Sequence, residues 1–370
     1  MKRIIIVMIS VLAVMFVLSG CGNKTEVDAI QKADANEMDD VKVKIGLMVP
    51  LSGDAAPYGE SVKKAVELAV KELSLEEKVE LVVEDSKCEG KEAVTVINKL
   101  ISIDKVDAVI GELCSGATIP AAAVANEQKV VMVSPASTSP KLSEEGGDYF
   151  FRVIPSDSLQ GDFGAKLVYE KGARKLAVLY GNEDYGVGFN SVLMESFPAL
   201  GGDVVASEAF EPKSTDLRTQ LTKIKAAEPD AIYIISNSPD SAAAALKQID
   251  ELGLGEVIVV GSEGLKADEI LQAVGEASNG LVVTSVSVGS DAFKTAHENE
   301  YGEVPGPFAA QAYDAVKALS LVLGSDDMKT ALYNVDFEGA SGHIAFDQNG
   351  DVSGNYEVYI VKNQEFAAEE

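Results

Sequence analysis

Histidine is scarce in this 370-residue chain: His297 and His343 are the only two, and they share no motif. No histidine cluster is therefore available to bind a metal, and no histidine dyad to move protons. HExxH, Walker A and GxSxG patterns are missing too. Gly186 and Gly188 begin a GxG, but position 191 is serine, so the third glycine of a dinucleotide fingerprint is lacking. The serines of the polar loops have no identifiable base. The expectation is no catalytic residue, no metal site, no cofactor and no enzyme activity. Basic residues are also few, 31 against 59 acidic ones, for a net charge of −28. Nucleic acid is excluded as a partner, because its binding draws largely on basic contacts with phosphate. The charge favours solubility instead.

Long apolar runs are nearly absent as well. One stands out, Ile4–Leu18, broken only by Ser10. It falls short of the about 20 apolar residues of a spanning helix. Lys2 and Arg3 precede it, and the small residues Ser19 and Gly20 follow, which is the pattern of an export signal over residues 1–20. Leu18-Ser19-Gly20-Cys21 resembles a bacterial lipobox, whose cysteine is lipidated and becomes the first residue. An ordinary signal peptide and an uncleaved anchor are the alternatives. Residues 21–40 then form a lipidated Cys21 and a flexible tether, because their polar composition buries too little surface to fold. The expected location is extracytoplasmic, lipid-anchored to a membrane.

Cysteine is rare, three in all. With Cys21 assigned to lipid, Cys88 and Cys114 remain. An even pair in an exported protein reads as a disulfide. Closing that loop contributes about 3–3.5 kcal/mol in the chain-entropy account. Two free buried thiols are the alternative.

From Val41 onward, β-branched runs alternate with amphipathic helical stretches. Strands are expected at Val43–Val49, Val79–Glu84, Ala108–Gly111, Val130–Ser134, Leu176–Tyr180, Val204–Glu208, Ala231–Ile235 and Val257–Gly261. Val62, Ala65, Val66, Ala69 and Leu73 recur at helical spacing between two of them. Such alternation argues for α/β architecture with parallel-rich sheets covered by helices. It restarts after Arg152–Asp157, which suggests two Rossmann-like lobes. Near the C-terminus, Ile344–Phe346, Asp347–Asp351 and Tyr356–Val361 read as a β-hairpin around Asn349-Gly350.

Ligands of open α/β sheets sit on the loops beyond the strands' carboxyl ends. Cys114–Thr118 follows a strand and opens a helix, whose free N–H groups suit a carboxylate, with Ser115 adding a hydroxyl; a plain helix cap is the other reading. Ser134–Pro140 carries Thr138, a donor, and the Ala136 carbonyl, an acceptor, or is only a rigid turn. Gly261–Gly264 puts Glu263 between glycines, where it pairs with an ammonium or simply starts a helix. Tyr58 walls a ligand or packs beneath its loop.

Together, in this order and spacing, these segments resemble the leucine/isoleucine/valine-binding proteins, type I periplasmic substrate-binding proteins of ABC transporters. The resemblance runs from Lys42 to Phe366 and rests on Val49–Gly59, Val109–Ser115, Ser134–Pro140, Phe151-Arg152, Asp184–Gly186, Gly261–Gly264, Phe308–Tyr313, Phe346-Asp347 and Gly350-Asp351. It implies two lobes joined by a three-crossing hinge: residues 41–156 plus 287–349, and residues 157–286 plus 350–370. It implies that Ser115 and Thr138 hold an α-carboxylate. The Ala136 carbonyl, Thr138 and Glu263 hold an α-ammonium, and Tyr58, Tyr185 and Phe308 line the side-chain pocket. Cys88 and Cys114 fall where the family has a disulfide. Where branched-chain binders carry a tyrosine from the second lobe, this chain has Asn237, which widens the pocket or bonds a polar side chain. Glu112, beside the same cleft, adds polarity or faces solvent.

The implied activity is capture of a free amino acid, branched-chain or related, by domain closure, followed by docking of the monomeric protein on an ABC permease. A sensory binding protein of the same fold, a binder of amide or urea-type ligands, and an exported enzyme on this fold are the rival readings.

Overall fold

The computed structural model describes residues 42–369. The signal segment, Cys21 and the tether lie outside the described residues. Among the described residues, no helix is long and apolar enough to cross a membrane.

Two sheets organise this body. The first is wholly parallel, in the order β2-β1-β3-β4-β5, with β1 Val43–Val49, β2 Val79–Asp85, β3 Ala108–Gly111, β4 Val131–Ser134 and β5 Phe150–Arg152. The middle strands β3 and β4 are buried along their whole length. That is why they read as unbroken apolar runs without alternation. Helix Ala56–Glu72 buries Val62, Ala65, Val66 and Ala69, the stripe its spacing predicts. Each such valine contributes roughly 1.5–3 kcal/mol by leaving water.

The second sheet runs β14-β13-β10-β9-β8-β6-β7. Its strands are β6 Lys175–Gly181, β7 Asp203–Phe210, β8 Ala231–Ile235, β9 Ile258–Gly261, β10 Val282–Ser285, β13 Glu357–Lys362 and β14 Glu365–Ala368. Strands β6 to β10 pair in parallel, while β13 and β14 add antiparallel edges. The chain passes between the two sheets three times: after β5, after β10, and between residue 345 and β13. On the second passage helix Ala309–Ser320 returns to pack on helix Ala56–Glu72.

The expected C-terminal hairpin does not form. β12, His343–Ala345, pairs instead with β11, Asp336–Glu338, while β13 pairs with β10 and β14. The Asn349-Gly350 turn is real but points elsewhere. Asp347 Oδ1 accepts the N–H groups of Asn349 and Asp351 at 2.8 and 3.0 Å. The Gly350 carbonyl accepts the Arg152 N–H at 2.9 Å. Pinned to β5 in this way, the turn sends the chain to the other sheet instead of back on itself.

Strand order reverses between β1 and β3 in the first sheet, and between β6 and β8 in the second. At such switch points neighbouring loops diverge and leave a crevice. The loops after β1, β3 and β4 thereby meet those after β6, β8 and β9.

Candidate functional site

Where the two sets of loops meet, a cavity with about 400 Å³ of atom-free space is lined by all eight candidate residues: Tyr58, Ser115, Ala136, Thr138, Tyr185, Asn237, Glu263 and Phe308. Leu113, Cys114 and Gly264 complete the wall.

The first-sheet side presents neutral groups. Ser115 is the first residue of helix Ser115–Gln128. Its N–H and that of Gly116 have no intrahelical acceptor, as at any helix start. Ser115 Oγ accepts the Ser139 N–H at 3.1 Å, which leaves its hydroxyl proton free to donate. The neighbouring loop is held from below. Arg152, fully buried, donates to the Ser139 carbonyl at 3.0 Å and to Ser143 Oγ at 2.7 Å, and forks onto Asp351 at 2.6 and 3.0 Å. Ser134 Oγ donates to the Glu112 carbonyl at 2.6 Å and accepts the Ser137 N–H at 3.0 Å. Through these contacts a short polar loop keeps Ala136 and Thr138 at fixed positions.

Cys88 and Cys114 form a disulfide beside this cavity. Glu112 is buried beneath it and does not face solvent. Its carboxylate accepts Ser86 Oγ at 2.6 Å and the Cys114 N–H at 2.5 Å. Burial pushes its carboxyl up to about 7. Its work is to brace the turn that carries Cys114 and Ser115.

The second-sheet side presents acids. Glu263 opens a short 3-10 turn, Glu263–Leu265, straight after β9. A Cβ on Gly264 would run into the Ser236 carbonyl, so only glycine lets this turn close against the β8 loop. Glu263 is 4 % exposed. Burial pushes its carboxyl up to about 7, against the lowering effect of its own backbone N–H and of Gln160, Tyr185 and Thr138 nearby. Asp157, in the first turn of helix Asp157–Glu170, is fully buried too. Burial, then the charge of Glu263, holds its carboxyl well above the usual range.

Among the described residues, Glu263 Oε2, both Asp157 oxygens, Gln160 Oε1 and the Tyr185 hydroxyl have no hydrogen-bond partner. Buried polar atoms are almost always paired. A cluster of orphans dominated by acceptors marks a place built for a donor, and a cationic donor fits best. Asp157 escaped sequence reasoning because an acid just after Ser156, the cap of that helix, reads as dipole compensation alone. Its only signal was position, at the first passage between the two halves.

Tyr58 and Phe308 meet edge to face, with ring centroids 5.8 Å apart, and form the apolar wall. Several contacts bridge the two sides. Tyr58 Oη donates to the Gly264 carbonyl at 2.9 Å, and Ser238 Oγ to Asp54 Oδ2 at 3.2 Å. Lys141 Nζ reaches Asp184 Oδ1 at 2.6 Å, and Ser139 Oγ the Asp184 carbonyl at 3.2 Å. Among the described residues, no group of three or more His, Cys, Asp or Glu is arranged to hold a metal ion.

Residues 42–365 match a protein-family profile described as Periplasmic binding protein. A leucine-, isoleucine-, valine-, threonine- and alanine-binding protein of Pseudomonas aeruginosa is 28% identical over 339 residues, covering 86% of this chain and 89% of the relative. The solved structure of the leucine-binding protein LivK of Thermotoga maritima superposes with a TM-score of 0.83 at 31% identity, covering 89% of this chain and 98% of that one. The branched-chain amino acid transporter substrate-binding protein LivJ of Streptococcus pneumoniae, solved with isoleucine, gives a TM-score of 0.81 at 32% identity over 89% of this chain and 99% of that one. The chain belongs to the periplasmic binding proteins, in the type I group of leucine-, isoleucine- and valine-binding proteins. A protein of this family works outside the cytoplasm.

Proposed function

We propose that this protein is the substrate-binding component of an ABC importer, that it captures a free α-amino acid, and that Cys21 tethers it by lipid to the membrane it serves. The observation that carries this reading is the polarity of the cavity: neutral donors on one wall, orphaned buried acceptors on the other. A zwitterion matches both walls at once. Its carboxylate meets the Ser115 hydroxyl, Thr138 and the N–H groups at the start of helix Ser115–Gln128. Its ammonium meets Glu263, the Ala136 carbonyl and the acidic group behind them. Tyr58, Tyr185 and Phe308 surround the side chain.

Capture proceeds by closure of residues 41–156 plus 287–349 onto residues 157–286 plus 350–370. The closed form is favoured only by contacts the open form lacks. Tyr58 to Gly264, Ser238 to Asp54 and Lys141 to Asp184 are contacts of that kind. Relatives named for binding leucine, isoleucine and valine support an amino acid as ligand. The matched proteins are solute binders, which supports binding and release without turnover. The protein acts as a monomer that hands its ligand to the permease, and the lipid keeps it from diffusing away.

Isothermal titration calorimetry against the standard amino acids tests the reading. Glu263→Ala is expected to weaken binding of the preferred ligand by more than about tenfold, because it strips the ammonium of its counter-charge. Unchanged affinity would remove Glu263 from the clamp.

A further inference from the structure

Behind Asn237 lies a second cavity, with about 560 Å³ of atom-free space, that shares Asn237 and Cys114 with the first. Asp54, Lys87, Glu183, Lys213 and Ser238 line it. We infer that the side-chain subsite continues past Asn237 into this second cavity, and that the ligand is an α-amino acid whose side chain ends in an uncharged amide. The inference rests on the amino-acid reading above and narrows it.

Three observations carry it. First, the wall nearest the clamp is apolar, formed by Leu113, Tyr58 and Phe308, and suits methylene groups. Asn237 is the carboxamide of this lining and the residue it shares, with Cys114, with the second cavity. A side chain that fits both parts is apolar near its Cα and polar at its tip.

Second, the Asn237 carboxamide is half-buried and makes no hydrogen bond among the described residues. Its loop, by contrast, is tightly held. Ser236 Oγ donates to the Ser238 carbonyl at 3.0 Å and accepts the Ser238 N–H at 3.2 Å, and Ser238 Oγ reaches Asp54 at 3.2 Å. A fixed backbone carrying a free carboxamide is a preorganised donor–acceptor pair. A second carboxamide meets it with two hydrogen bonds, one in each direction. A hydrocarbon tip leaves it unpaired, and unpaired polar groups reject such ligands strongly.

Third, the cations of the second cavity are already paired. Lys87 lies 3.8 Å from Glu92, and Lys213 lies 3.8 Å from Glu89. Glu183 accepts the Tyr185 and Gly186 N–H groups at 2.8 and 2.9 Å, and Asp54 accepts Ser238. Each of the two cations is taken by a glutamate, so no free cation recruits an anionic side chain. Such a side chain would lose its hydration without gaining a counter-ion of its own.

The test is calorimetry on the full chain with glutamine, asparagine, glutamate, leucine, isoleucine and valine. The better of the two amides is expected to bind at least about tenfold more tightly than leucine and than glutamate. Asn237→Leu keeps the branching at Cγ and removes the carboxamide, and is expected to abolish the preference. Asn237→Asp keeps the shape and removes the donor, and is expected to weaken the amide by about tenfold or more. Thermal melts confirm that each variant is folded. Leucine or valine binding more tightly than both amides overturns the inference and leaves the amino-acid reading standing. An amide preference that survives both variants overturns the role of Asn237. Binding of none of the six at any concentration overturns this inference and counts against the amino-acid reading itself.

Discussion

The two walls of the cleft differ in how their polar groups are settled. On the first-sheet wall nearly everything is paired: Ser115 with Ser139, Ser134 with Glu112, Arg152 with Asp351, Ser143 and Ser139. On the second-sheet wall Glu263, Asp157 and Tyr185 keep buried atoms without partners. A wall of satisfied groups is rigid and stable by itself. A wall of orphaned acceptors stores unfavourable free energy, which a cationic ligand releases. The contrast assigns the walls different tasks. One holds a shape for the ligand, and the other gains most from its arrival.

Breaking the settled wall is expected to have the largest effect. Arg152→Ala leaves Asp351 without its buried partner and frees the loop that carries Ala136 and Thr138. Removing one member of a buried ion pair costs about 3–5 kcal/mol. Chemical denaturation should show that loss of stability, and calorimetry a weaker ligand affinity in the protein that remains folded. A stability close to that of the unaltered chain would show that the loop is held by something else.

Next in size is the pH dependence of the unsettled wall. Glu263 is pushed up to about 7 from 4.5, and Asp157 is also raised, in each case chiefly by burial. A group raised in the folded state holds its proton more tightly there than in the unfolded chain. Its contribution to stability is therefore full below the unfolded value of 4.5 and lost as pH climbs to about 7. Ligand affinity runs the opposite way, because the ammonium pairs with the ionised carboxylate. Affinity should rise between 4.5 and about 7 and level off above, with proton release on binding inside that window. Titrations in two buffers of different ionisation heat measure the released protons directly. A binding enthalpy independent of the buffer near neutral pH would mean that these acids do not change state.

The smallest effect belongs to the bridges between the walls. Lys141 and Asp184 are 48% and 34% exposed, and exposed pairs contribute at most about 1 kcal/mol. Lys141→Ala should weaken ligand affinity by that much or less, mostly through faster dissociation. Stopped-flow release rates check it, and a loss of many tens-fold would promote this pair from a rim contact to a central one.

Much of this was legible in the chain itself. Parallel strands buried on both faces, such as β3 and β8, announce themselves as short β-branched runs. The stripe from Val62 to Ala69 could hardly be other than a buried helix face. Polar loops at strand ends pointed to Ser115, Ala136, Thr138 and Glu263, because α/β sheets leave their crevices there. Local patterns failed where tertiary contacts decide. β5 is three residues long and ends in Arg152, a residue that is buried only because Asp351, 199 positions away in sequence, meets it. The Asn349-Gly350 turn was recognised, but its direction depends on that same contact. Asp157 follows a helix cap, and nothing local to it signals its burial beside Glu263. Residues whose roles depend on partners distant in the chain leave no periodic trace.

The central claim is that both walls act on one zwitterion, and one set of titrations tests it most directly. The preferred amino acid is compared by calorimetry with its amine, which lacks the carboxylate, and with its deaminated acid, which lacks the ammonium. Tight binding of the amino acid alone, with both truncated forms weakened by about a hundredfold or more, is the predicted result. Binding of the deaminated acid as tight as that of the amino acid would contradict it, since the buried carboxylates would then have no cation to meet.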